Sequence, residues 1–151
     1  GVADEAEEGE ELFRMQLDRY EFSLRHVGTH VLARELTRPA IEEALAAGRA
    51  FVGFDWIADS HGFDCHLAAA DGRHEMGSVL SWSEGLQLRA AAPLPGHWRV
   101  IRDGECIHEA DGRELSLPVA KPGNHRVELS LDVAGEPHLW VLGNPFYLRS
   151  H

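Results

Sequence analysis

The sequence predicts a mainly β fold, an immunoglobulin-like antiparallel β-sandwich preceded by one or two short helices. Three observations carry that expectation. From Ala50 onward apolar residues recur at every second position, in segments separated by turn signals roughly every eight to twelve residues. Only one segment, from Thr37 to Gly48, is punctuated at both ends as a helix. That helix also stands before the strands rather than between them, which argues against alternating βαβ units.

The elements follow in order. Leu12, Met15 and Arg19 share a helical spacing, while Tyr20, Phe22 and Leu24 alternate, so a short helix is expected to yield to an extended segment. The next helix has Thr37 as N-cap, Pro39 in its first turn, Glu42 and Glu43 near its positive end and Gly48 as its left-handed stop. Ile41, Ala44 and Leu45 give it one narrow apolar stripe, so it must lean on the sheet that follows. Phe51 to Ile57 reads as a buried strand, and Asp59-Ser60-His61-Gly62 as a turn. Phe63, Cys65, Leu67 and Ala69 share one face of the next strand, and Leu86, Leu88 and Ala90 share a face of another that Pro93 and Pro95 are expected to end. Asp103-Gly104 is a strong hairpin signal, and Asp111-Gly112 a second turn. Val127, Leu129, Leu131 and Val133 alternate before Gly135, and two short apolar runs, Trp140 to Leu142 and Phe146 to Leu148, close the chain. The count is roughly seven or eight strands, which suits a sandwich. Lys121-Pro122-Gly123 ahead of His125 looks like the turn and strand of a tyrosine corner with imidazole in place of phenol, so any hydrogen bond back to the turn would come from the His125 ring.

Composition bounds the function. The chain has 151 residues, 44% of them hydrophobic, which suffices for one core and not for two. Its formal net charge is −11. Asp4, Glu5, Glu7, Glu8, Glu10 and Glu11 carry much of it, leaving nineteen acids against fourteen bases elsewhere. Residues 1–11 therefore read as an acidic disordered segment, 12–49 as a helical and extended segment, and 50–151 as the sandwich. A nucleic-acid partner is excluded by the lack of a basic stripe, and an anionic membrane surface for the same reason. No apolar stretch has the length of a membrane span or a signal peptide. Cys65 and Cys106 have neither redox nor zinc-knuckle spacing, so two free buried thiols in a reducing cytoplasm are expected, with a disulfide between sheets left open. Gly1, with no Met ahead of it, reads as the start of an excised piece of a longer protein.

Four segments form an ordered series: Leu12-Phe13-Arg14, Val27-Gly28-Thr29-His30-Val31-Leu32, Glu43-Ala44-Leu45-Ala46-Ala47-Gly48-Arg49-Ala50-Phe51-Val52, and Trp140-Val141-Leu142-Gly143-Asn144-Pro145-Phe146-Tyr147-Leu148. Together they resemble the C-terminal region of bacterial PHP (polymerase and histidinol phosphatase) domain proteins, a family of metal-dependent phosphoesterases. The resemblance covers nearly all of the chain after the acidic run. Gly143 and Phe146 stand where the family pattern has Ser and Ile. What it implies is a catalytic barrel holding divalent metals, which make a nucleophilic hydroxide and clamp phosphoryl oxygens, in the part of such proteins ahead of this region. No His-x-His occurs here, and no catalytic residue of the family is carried over to any position. The resemblance thus implies a non-catalytic accessory domain, itself without cofactor, whose partner is the barrel of the same parent chain. An apolar patch around residues 12–36 and some self-association are then expected.

Two rival functions rest on particular residues. Trp82, in Ser81-Trp82-Ser83-Glu84, and Trp98, beside Gly96-His97, read as exposed rings that with His97 would make a stacking platform for carbohydrate or a sugar phosphate. Trp56 and Trp140 lie in apolar runs and read as core. Asp64 and His66 point to one face of a strand, so with His61, or with His74 from a neighbouring turn, they would form a surface zinc or nickel site for an independent hydrolase. The simpler reading of those residues is a solvent-facing polar strand edge. His30 reads as a buried, hydrogen-bonded imidazole, since no acid or thiol lies at a local ligand spacing from it.

Overall fold

The computed structural model describes residues 13–18 and 27–150, and side chains from residue 28 onward. The described fold is mainly β and sandwich-like, with one helix and almost entirely antiparallel pairing. β1 (Phe13–Asp18) pairs with β2 (Val27–Ala33), which pairs with β3 (Ala50–Phe54). The short helix expected near Leu12 and Met15 is therefore a strand over 13–18: ladder bonds to β2 along its whole length outweigh a helical spacing of only three residues. Tyr20, Phe22 and Leu24 lie outside the described residues.

Helix α1 (Arg38–Ala46) has the expected cap and stop, but Glu42 and Glu43 lie beyond its first turn rather than near its positive end. The Thr37 hydroxyl accepts from the Ala40 amide, and Gly48 turns left-handed at φ 74°. Ala44 is its buried residue, and with Val31, Ala33 and Ala50 it forms a small second core on the outer face of β2 and β3. Because strand side chains alternate, His30 and Leu32 point the other way, into the main core.

That main core is walled by β4 (Asp64–Ala69), β7 (Gln87–Arg102), β8 (Glu105–Pro118), β9 (Gly123–Val133) and β10 (Glu136–Gly143). Phe63, Cys65 and Leu67 are buried as the alternation predicts, and so are Leu88, Ala90, Val127 and Leu129. β5 (Gly72–Glu75) pairs with β4, and β6 (Val79–Ser81) pairs in parallel with the closing strand β11 (Phe146–Arg149), which also pairs with β9. β3 pairs with β10, so β1 and β2 belong to the same continuous sheet path as the strands after Ala50.

Two expected turns are not turns. β7 runs through Pro93 and Pro95, and β8 runs through Asp111-Gly112. The ladder between them breaks from Ala91 to Gly96 and then resumes, so the prolines fall where no ladder donor is needed. Gly96 is required there, since a Cβ would stand 2.6 Å from the Ser130 carbonyl oxygen. The hairpin at Asp103-Gly104 is as expected, with φ values of 50° and 84°. His125 is buried, and its Nδ1 donates to the Gly123 carbonyl at 3.0 Å, the bond back to the turn that the sequence allows for. Cys65 is buried, Cys106 is half-buried, and both are free thiols.

Candidate functional site

Three of the four segments that carry the family resemblance meet in one place. β2 brings His30 against Phe51 of β3, with the rings stacked at 4.5 Å and 6°. The loop after β3 then folds over the imidazole. Ser60 Oγ lies 3.0 Å from His30 Nε2 and donates to Asp55 Oδ1 at 2.6 Å; Asp55 Oδ2 is 3.4 Å from the same nitrogen. Burial opposes ionisation of Asp55, but bonds from His30 and Ser60 hold its carboxyl below the usual range. Gly53 makes room for this hub, because a Cβ there would sit 2.1 Å from Ser60 Oγ. The closing segment joins in. Trp140 Nε1 donates to the Ala58 carbonyl at 2.7 Å, and Asn144 Nδ2 to the Gly48 carbonyl at 3.0 Å.

Serine, histidine and aspartate within bonding distance invite comparison with a hydrolytic triad. The geometry is a different one. A triad needs the hydroxyl on one ring nitrogen and the carboxylate on the other. Here both sit on Nε2, Nδ1 is buried without a partner among the described residues, and Ser60 and His30 are each 0% exposed. The cluster positions the loop and offers no reachable nucleophile.

The expected metal trio is brought together only in part. His66 Nδ1 is 3.0 Å from Asp64 Oδ2, whereas His61 stands edge-on to His30 at 5.0 Å and bonds Asp59. His74 bonds Asp71. Among the described residues no group of three or more His, Cys, Asp or Glu side chains is arranged to hold a metal ion. Asp59-Ser60-His61 and Asp64-Cys65-His66 both have Asp-x-His spacing; in each, the carboxylate is engaged by the histidine two residues on.

Asp64 anchors a longer chain of charge. Its Oδ1 accepts from Arg73 Nη2 at 2.6 Å, and Arg73 in turn forks onto Glu75, whose side chain is 4% exposed. Burial pushes the Asp64 carboxyl up, but His66 and Arg73 more than offset it and bring it down to about 2. A depressed carboxyl contributes stability that is present above its unfolded value near 4 and is lost as pH falls through its folded value. The advantage of the parent over Asp64→Asn should therefore be about 2 kcal/mol near neutrality and shrink between about pH 5 and pH 2. Urea unfolding across that range measures it, and a difference that stayed constant would count against the network.

The proposed aromatic platform does not form. Trp98 is 0% exposed, stacked near Phe63 at 6.1 Å, and its indole donates to the Gly112 carbonyl at 2.8 Å. Trp82 is half-buried and donates to the Val119 carbonyl at 2.8 Å. Trp140 is core as expected, but Trp56 is 54% exposed, beside His138. His97 is held from both sides, Nε2 at 2.7 Å from Glu109 and Nδ1 at 2.8 Å from Asp111. Glu109 and Asp111, each able to accept from one ring nitrogen, favour the protonated ring and raise its pKa.

No family model matches this chain, and no curated protein or solved structure matches it either. No helix among the described residues is long and apolar enough to cross a membrane.

Proposed function

We propose that this chain is a non-catalytic accessory domain of a PHP-type metal-dependent phosphoesterase, packing beside the catalytic barrel and shaping or steadying one wall of its cleft. One observation carries the reading. Three of the motifs that resemble the family, spread from Val27 to Leu148, meet at a single junction: β2 on β3, His30 on Phe51, Asn144 on Gly48. The buried geometry of His30, Asp55 and Ser60 supports a positioning role for that junction. Leu36 and Leu45, 50% and 44% exposed at the two ends of α1, leave apolar surface beside it for a neighbour.

The test is phosphoesterase activity on p-nitrophenyl phosphate with Mn²⁺, for this chain alone and for a longer chain carrying a PHP-type barrel ahead of it. Turnover is expected only from the longer chain. Turnover by this chain alone, abolished by chelation, would overturn the reading.

A further inference from the structure

We propose that the solvent face of the ladder formed by β4, β7 and β8 is a binding site for a small phosphorylated polyol, with Arg89 and His66 taking the phosphate and Glu114 and Ser116 taking hydroxyls. The site follows from register. His66, Arg89 and Ser116 stand in one cross-strand row, and Asp64, Ala91 and Glu114 in the next row on the same face. Ala91 has only a methyl group at the centre of five longer polar neighbours. Its smallness opens a concavity of about 460 Å³, lined by Asp64, His66, Arg89, Glu114 and Ser116.

The polar groups around that hollow are unused. Among the described residues the Arg89 guanidinium has no ion pair or hydrogen bond, and neither have His66 Nε2, the Ser116 hydroxyl or the Glu114 carboxylate. The imidazole is nonetheless aimed. Ionised Asp64 can only accept, so His66 Nδ1 donates to it, which fixes the ring and leaves Nε2 open, a donor to phosphate when the ring carries its second proton. Behind Asp64, Arg73 and Glu75 lock the carboxylate with an ion pair that is costly to bury. A wall held this firmly beneath an open imidazole and a guanidinium suits a fixed oxyanion, and a bidentate fork on phosphate is what arginine does best. Glu114 would repel a bare anion, but a carboxylate accepts well from sugar hydroxyls, which sets the ligand class. Another concavity of similar size among the described residues, beside His97, Asp111 and Pro137, lacks this property, because Glu109 and Asp111 already occupy both nitrogens of its imidazole.

The experiment is an NMR titration of the folded chain with glucose 6-phosphate, glucose and inorganic phosphate, following the His66 ring protons and the Arg89 Nε–H. Glucose 6-phosphate should give a saturable shift at both residues and bind more tightly than either component alone. Arg89→Ala should weaken it about tenfold or more, the loss expected of a charge-assisted pair. Ala91→Leu, which fills the hollow without touching a charge, should abolish saturation while leaving the thermal midpoint in place. The proposal is overturned if no saturable shift reaches His66 and Arg89, if glucose binds as tightly as its phosphate, or if binding survives both substitutions unchanged.

Discussion

Trp98→Ala is expected to destabilise the chain by about 3–5 kcal/mol, the range for removing a large aromatic ring from a packed core. The indole is wholly buried, lies against Phe63, and gives its one N–H to Gly112 in the part of the hairpin where the ladder resumes after its break. Truncation leaves both a cavity and a carbonyl without its donor. Trp98→Phe keeps most of the volume and should lose only about 1–2 kcal/mol, chiefly the hydrogen bond. Trp56→Ala is the control: that ring is more than half exposed, and its removal should stay within about 0.5 kcal/mol. Urea unfolding followed by far-ultraviolet dichroism orders the three. Equal, small effects at Trp98 and Trp56 would place Trp98 on the surface and restore the stacking platform.

The tryptophans show how far the sequence is legible. Trp98 has the same parity as Val100, and both are fully buried, so the strand period alone identifies Trp98 as core; its polar neighbours Gly96 and His97 drew attention to exposure instead. Trp56 lies inside an apolar run, but the run outlasts the strand. β3 ends at Phe54, the following residues form a turn, and alternation no longer governs where their side chains point. The face shared by Phe63, Cys65 and Leu67 was legible because a period of two needs no partner to be seen. The path of β7 was not. Proline reads as a stop, and only the register shows that Pro93 and Pro95 fall in a gap of the ladder.

The same division runs through the site. Asp64 and His66 are two apart and share a face by local geometry, so their bond could be foreseen. His30, Asp55 and Ser60 are joined only because β2 and β3 are neighbours, and strand order is not encoded in spacing. His61 was separated from Asp64 and His66 by the direction of one loop, which no period records.

Gly77→Ala should cost about 2–4 kcal/mol, and the comparison that isolates its cause is Gly85→Ala. The two glycines have nearly the same positive φ, 89° and 90°. Any side chain therefore meets a similar conformational penalty at both, about 1 kcal/mol or somewhat more. Their surroundings differ. A Cβ at Gly85 meets nothing within 4 Å, whereas at Gly77 it would stand 2.0 Å from the Ala47 carbonyl oxygen and 2.6 Å from the Gly48 carbonyl carbon. Those are backbone atoms at the end of α1 and cannot swing aside as a side-chain tip would. They are also fixed from the far side, since Asn144 holds the Gly48 carbonyl and the Gly77 amide donates to Pro145 at 2.9 Å. Relieving the clash means prising the helix end away from the closing Asn144-Pro145 segment, and overpacking of this kind adds roughly 1–3 kcal/mol. The excess of Gly77→Ala over Gly85→Ala in urea unfolding thus reads the tightness of the junction directly. Equal costs at the two glycines would mean that the helix end and the closing segment do not meet at Gly77, and the convergence on which the accessory-domain reading rests would go with it.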